Sequence, residues 1–247
     1  MAVIAVYSIK GGVGKTTLAV DLAWRWATQA RRDTLLWDLD PQNGAGFLLG
    51  FDDPQIPRAA AVFQREGQPR LLITQTAYPS LSLLQADQSL RSLPVQLARL
   101  GQRRRLRTLT SFLKAEYERI VLDCPAGHNE VTDQVLAAAD VVIVPLPASP
   151  LSARALDMLR RDLTRSGNRH PPILPVLSFY DARRKLHRQV AAGLAQGWPV
   201  LPMASQIEQT AVRRTPLGAF APSCPAAQAM ARVWQGIEAK LAGLGLT

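Results

Sequence analysis

Cysteine is scarce in this chain: 247 residues contain only Cys124 and Cys224, far apart and in no CxxC-type spacing. That excludes a thiolate-held metal cluster built from paired cysteines and predicts reduced thiols of a cytoplasmic protein. Long apolar runs are also missing. No stretch approaches the ~20 residues that a membrane-spanning helix needs, and the longest candidates are broken by proline or charge. The chain starts directly in Val3-Ile4-Ala5-Val6-Tyr7 with no basic segment before it, so no secretory leader is expected. There is no internal repeat and no Ser/Gly linker, which predicts a single domain over residues 1–247. Among charged residues the deficit is in acids: 19 Asp+Glu against 29 Lys+Arg, a net charge of +10. Such an excess favours polyanionic partners, nucleic acid first and an anionic membrane surface second. The hydrophobic fraction of 47% excludes wholesale disorder.

What the sequence does hold is concentrated near its start. The apolar run 3–7 leads into Lys10-Gly11-Gly12-Val13-Gly14-Lys15-Thr16-Thr17, and Leu18, Leu22 and Trp26 then repeat at helical spacing. Strand, glycine-rich turn and helix form the context of a phosphate-binding loop. Glycines let backbone N–H groups point at an anion, and the helix N-terminus adds its positive end. In such a loop Lys15 reaches the β- and γ-phosphates, and the Thr16 hydroxyl ligates Mg²⁺. The general pattern has a glycine five residues before Gly14; here that residue is Ile9, and a second lysine, Lys10, opens the loop.

Two further apolar runs end in carboxylates. Thr34-Leu35-Leu36-Trp37 is followed by Asp38-Leu39-Asp40-Pro41-Gln42, and Ile120-Val121-Leu122 by Asp123-Cys124-Pro125. Parallel sheets collect ligands at the carboxyl ends of their strands, so carboxylates there, beside a phosphate loop, fit nucleotide hydrolysis.

With the KGGxGK[ST][ST] loop, a DxDPQ segment and a hhhhDCP segment in this order, the chain resembles the ParA/MinD family of positioning ATPases, whose loop is called the deviant Walker A motif. It looks most like the small ParA-like, Soj-like partition proteins. The resemblance implies ATP and Mg²⁺ as cofactors, catalytic roles for Lys10, Lys15 and Asp40, and a metal shell drawn from Thr16, Asp38 and Asp123. Residues 11–17 would cradle the phosphates, and Lys10 would cross a homodimer interface to the partner's nucleotide. Ser178-Phe179-Tyr180-Asp181-Ala182-Arg183-Arg184 is similar to the family's MYDRR segment, which implies Phe179, together with Pro202, near the base. Residues 206–211 match in register a segment whose arginine touches DNA in some members. Gln206 stands at that position, so the nucleic-acid candidates become Arg183, Arg184, Arg213 and Arg214.

The alternation of apolar strands and amphipathic helices predicts an α/β fold, a mostly parallel sheet covered by helices on both faces. Strands are also expected at 71–73 and 81–84, with a flexible stretch at 43–57, a short helix at 58–65 and a helix from the arginine cluster at 103–107 to about 117. That cluster reads equally as a phosphate-backbone patch or as a solvated helix face. The resemblance as a whole implies a cytoplasmic, nucleoid-associated ATPase that dimerises on ATP, binds DNA non-specifically and positions a cargo. A ParB-like or cargo-adaptor protein would stimulate its hydrolysis. The alternative is a MinD-like membrane-associated ATPase. The last predicted helix, 226–242, argues against it, because Arg232 and Lys240 are its only basic residues.

Overall fold

The computed structural model describes residues 1–54, 58–64, 67–101, 104–165 and 170–246. Its centre is an eight-stranded sheet in the order β3-β4-β2-β5-β1-β6-β7-β8. The inner strands β1 (Ala2–Val6), β2 (Thr34–Asp38) and β5 (Arg119–Asp123) are buried at every residue. Their unbroken apolar runs reflect a sheet covered on both faces. β1 lies between β5 and β6 (Val141–Pro147), and β7 (Ile173–Tyr180) and β8 (Val200–Pro202) continue the parallel order.

On one face, α3 (Leu93–Leu100), α4 (Arg105–Leu113), α5 (Glu130–Ala138) and α6 (Pro150–Arg165) bury leucines and valines against Val3, Leu35, Ile120 and Val142. On the other, α1 (Lys15–Thr28) and α10 (Pro225–Gly243) pack on Ile4, Leu36, Val121 and Ile143. α1 is buried on most sides. Within it Arg25 donates to Asp21 at 2.6 Å, Asp21 accepts the Gly218 N–H at 2.7 Å, and Arg25 also donates to the Ala227 carbonyl at 3.0 Å. One internal ion pair thereby ties α1 to the chain's last elements. The apolar stripe of α10, with Met230, Val233, Ile237 and Leu241, faces this core. No helix among the described residues is long and apolar enough to cross a membrane.

Several elements depart from their expected form. Leu71 and Leu72 belong to a 3₁₀ turn, Pro69–Leu72, and the strand β3 starts only at Ile73 and ends at Gln75. Proline at the first position favours the turn. β3 is antiparallel to β4 (Leu81–Leu84), so the sheet is not parallel throughout. A short antiparallel edge suits a strand with only one neighbour. The expected helix at 58–65 is a 3₁₀ segment, Ala59–Phe63, with Arg65 outside the described residues. The stretch read as flexible contains a short helix, α2 (Gly44–Leu48). α5 starts at Glu130, where Asn129 and Thr132 form a capping box at its N-terminus. Two helices carry no separate sequence signal, α7 (Lys185–Ala192) and α9 (Leu217–Phe220), and α8 (Ser205–Arg213) spans the segment containing Gln206.

Candidate nucleotide-binding site

Strand β1 delivers the chain to the carboxyl edge of the sheet, where residues 9–14 bend sharply before α1 begins at Lys15. Gly14 is the N-cap, with φ 86° and ψ 22°, a left-handed conformation that costs glycine nothing. The first-turn N–H groups of α1 receive no side-chain cap and are free to meet an anion. Lys10, Gly11 and Gly12 are exposed, whereas Lys15 is 7% exposed and Val13 is buried. The front of the loop is clamped to the segment after β5. Tyr7 Oη donates to the Gly127 carbonyl at 3.0 Å, and the Gly127 N–H donates to the Ile9 carbonyl at 3.0 Å.

The carboxylates converge because their strands are neighbours. Asp38 and Asp123 are register partners of β2 and β5, and Val6, just before the loop, pairs with Asp123 from the other side. Both carboxyls are fully buried. Asp38 uses its two oxygens on backbone: Oδ1 accepts the Asp40 N–H and Oδ2 the Ala45 N–H, each at 2.9 Å. It therefore fixes the Asp40 turn and the start of α2. Burial, followed by the Asp123 charge, pushes its pKa well above the carboxylate range. Neither oxygen of Asp123 has a well-formed hydrogen bond among the described residues. Burial raises its pKa to about 7, against the opposing pull of the nearby Thr16 hydroxyl and Lys15 ammonium. A buried carboxyl with both oxygens unspent, beside a threonine hydroxyl, suits a divalent cation. Thr16 and Asp123 are the residues that would hold one, whereas both Asp38 oxygens are taken by backbone N–H groups. Asp40 is half-buried two residues beyond β2, and its Oδ1 accepts the Gln42 N–H at 3.1 Å. Cys124 is buried, its thiol pKa raised first by burial, and its sulfur lies 3.6 Å from the Leu122 carbonyl.

The order Asn43-Gly44 after Gln42 has a local cause. Asn43 has φ 51°, a conformation asparagine tolerates better than most residues. A Cβ on Gly44 would sit 3.1 Å from Thr16 Cγ2. The small residue thus falls where the chain passes the phosphate loop, and the left-handed turn one residue earlier is taken by asparagine.

Beside the loop, Val13, Gly14, Thr17, Ser178, Phe179, Leu201, Ile207 and Met230 line a small, mostly apolar cleft. Phe179 has φ 52°, strained for an aromatic residue, and its ring would lie 3.5 Å from a Cβ on Gly14. The Ser178 hydroxyl is buried without a partner among the described residues. Sequence reasoning passed over Ser178, although it stands next to Phe179 in the recognised segment. Pro202 is half-buried on β8, in register with Tyr180.

The four arginine candidates do not gather at this site, and each is already engaged. Arg183 makes a two-pronged ion pair with Asp181 at 3.0 Å, and Arg184 lies 3.9 Å from the same carboxylate. The Arg183 bonds are the chief reason the Asp181 pKa drops to about 2. Arg213 stacks over Phe220. Arg214 donates to the Phe47 carbonyl at 3.1 Å and to Asp52 at 3.0 Å, bracing α8 against the loop that follows Asp40.

A glycine-rich loop at a helix N-terminus, with carboxylates on the two strands beside it, defines a P-loop nucleotide-binding protein. A family model described as an AAA domain matches residues 1–170. The chain is 36% identical over 197 residues to the chromosome partitioning protein ParA of Myxococcus xanthus, covering 76% of this chain and 68% of that protein. It is 31% identical to the chromosome-partitioning ATPase Soj of Thermus thermophilus, over 96% of both chains. The chain belongs to the ParA/MinD family of P-loop ATPases. Its fold matches a Cyanothece McdA variant in complex with ATP, with a TM-score of 0.83 at 21% identity over 98% of this chain and 96% of that one. It also matches MinD from Pyrococcus horikoshii solved with Mg-ADP, with a TM-score of 0.79 at 23% identity over 98% of both chains.

Proposed function

We propose that this protein is a ParA-like ATPase that dimerises on ATP, holds non-specific DNA in that state, and is released by hydrolysis to position a cargo. The observation that carries the reading is the unspent, buried Asp123 carboxyl beside Thr16 and Lys15, within a site closed by the Asp38-anchored Asp40 turn. Residues 11–17 would bind the phosphates, with Lys15 against the β- and γ-groups. Thr16 and Asp123 would hold Mg²⁺, which supplies charge neutralisation of the phosphoryl oxygens, while Asp38, its oxygens taken by the Asp40 and Ala45 N–H groups, would brace the turn beside it. Asp40 would orient the attacking water, whose oxygen bonds to the γ-phosphorus as the bond to the β-phosphate bridge breaks. Lys10, exposed at the lip of the loop, would reach the partner protomer's phosphates and add a second cation where negative charge separates. Phe179 and Pro202 would flank the base in the cleft beside Gly14.

Partition proteins among the relatives support cargo positioning, and the net charge of +10 supports a nucleic-acid track. Joining two protomers doubles the basic surface in one body, so DNA affinity becomes ATP-dependent through effective concentration. An adaptor on the cargo, ParB-like or otherwise, would trigger hydrolysis, and the protein would work in the cytoplasm on the nucleoid.

The test uses Asp40→Ala, which is expected to keep ATP bound without turnover. DNA binding by this variant is expected with ATP and is expected to be at least tenfold weaker with ADP or without nucleotide. Equal binding in all three states refutes the reading.

A further inference from the structure

Between Asp87 and Glu116 the sequence contains no acidic residue and seven basic ones, Arg91, Arg99, Arg103, Arg104, Arg105, Arg107 and Lys114. Arg103 lies outside the described residues, and Arg105 is committed to the Val62, Phe63 and Gln64 carbonyls. The other five are exposed, and among the described residues none of their side chains makes an ion pair or hydrogen bond. α4 sorts its side chains cleanly. Leu106, Leu109, Thr110 and Leu113 are buried, while Arg104, Arg107, Ser111 and Lys114 are exposed at i, i+3, i+7 and i+10. That spacing makes one outward stripe roughly 15 Å long. α3 carries Arg99 in its last turn and packs on the same face of the sheet, with Leu93 and Leu97 turned inward.

We propose that the outer face of α3 and α4 is a docking surface for the phosphate backbone of duplex DNA. The proposal rests on the DNA-binding reading above and moves the contact away from α7 and α8. There Arg183 and Arg184 share the single Asp181 carboxylate, and Arg214 is paired with Asp52. Four of the five free cations are arginines, whose planar fork matches a phosphate. An anionic membrane fits less well, because the described leucines of both helices are buried in the core, Val95 and Phe112 are the two large apolar side chains exposed among the described residues of α3 and α4, and Phe112 already carries the Arg70 guanidinium over its ring at 4.3 Å.

The experiment compares the full chain with a variant carrying Arg91→Gln, Arg99→Gln, Arg104→Gln and Arg107→Gln, both bound to ATP in the Asp40→Ala background. Binding to random-sequence duplex DNA is titrated against salt. The four substitutions are expected to weaken binding at least tenfold near 100 mM salt and to reduce the slope of log affinity against log salt by about 3. ATP affinity and melting temperature should stay unchanged, since these side chains hold nothing in place. A matched variant with Arg183→Gln and Arg184→Gln is expected to keep most of the binding. If the parent binds DNA and the α3–α4 variant binds equally well, the face is overturned while the ATPase reading stands. If vesicles of acidic phospholipid lose the variant while DNA retains it, the partner assignment is overturned. Failure of the parent to bind DNA in any nucleotide state removes the functional reading and the face together.

Discussion

At the scale of single residues, the site stores its readiness as unfavourable burial. Asp123 keeps a raised pKa of about 7 because its carboxyl is enclosed, and the Asp40 charge adds to the rise while the Thr16 hydroxyl and Lys15 ammonium oppose it. In the unfolded chain an aspartate titrates near 3.9. Between roughly pH 4 and 7 the folded, nucleotide-free protein therefore holds a proton that the unfolded chain has lost, and stability falls as pH rises. The favourable contribution is complete below the unfolded pKa and is gone once pH passes about 7. Asp123→Asn should remove this cost, raising the melting temperature of the apo protein by roughly 5 °C at pH 8 and by far less at pH 5. The same variant should lose Mg²⁺-dependent ATP hydrolysis. Differential scanning fluorimetry at the two pH values checks the first claim and phosphate release the second; an equal shift at both pH values would contradict it. Ser178 gives a smaller case of the same kind. Ser178→Ala removes an unpartnered buried hydroxyl, so it should leave the apo protein as stable or slightly more so, yet weaken ATP binding several-fold if that hydroxyl meets the nucleotide. Titration with a fluorescent ATP analogue measures this, and unchanged affinity would take Ser178 out of the site.

At the scale of elements, the loop and strand ends were legible because each carries residues that cannot be moved. The glycines and lysines around residue 14 and the aspartates closing two apolar runs occupy positions dictated by backbone geometry and sheet register. Less visible were the features set by long-range packing. Leu71 and Leu72 look like strand residues, but Pro69 opens a 3₁₀ turn there. Asp38 reads as a metal residue by motif, whereas only the folded chain reveals that its two oxygens are occupied by the N–H groups of Asp40 and Ala45. Nor could periodicity reveal the anchor of the last helix. Arg119, wholly buried at the start of β5, donates to Glu238 on α10 at 3.1 Å, and the same carboxylate accepts the Trp26 indole N–H at 2.7 Å. Burial lowers the Arg119 pKa, and Glu238 is the main force opposing that. Glu238→Ala leaves a buried guanidinium without its counter-charge and should cost about 3 kcal/mol in urea denaturation. The double variant Arg119→Met, Glu238→Leu should recover most of that loss. If the single variant unfolds at the parent's urea midpoint, the pair is not what holds α10 to the sheet.

At the scale of the whole molecule, the exposed lip of the phosphate loop separates two designs that the fold alone permits. A P-loop enzyme working as a monomer needs its charge-neutralising groups within one chain, and here Lys15 is tucked in at 7% exposure. Lys10 has no such place: it is exposed on the solvent side of the bend, ahead of two exposed glycines. A cation held there stabilises no phosphate of its own protomer as well as Lys15 does, but it is presented to a surface that approaches the loop from outside. In the function proposed above a second copy would bring that surface, and each protomer would complete the other's site. Lys10→Ala should accordingly leave the affinity of the monomer for ATP within about threefold of the parent, because the intrachain contacts persist. ATP-dependent dimerisation, read by light scattering after size-exclusion chromatography, should be lost, and hydrolysis should fall by at least about 100-fold, in line with removing a group that acts on charge developing in the transition state. DNA binding should fall with dimerisation, since a single protomer presents only half of the basic surface. A variant that still dimerises on ATP and hydrolyses it at the parent rate would show that Lys10 is a solvated surface lysine and that each chain completes its own site.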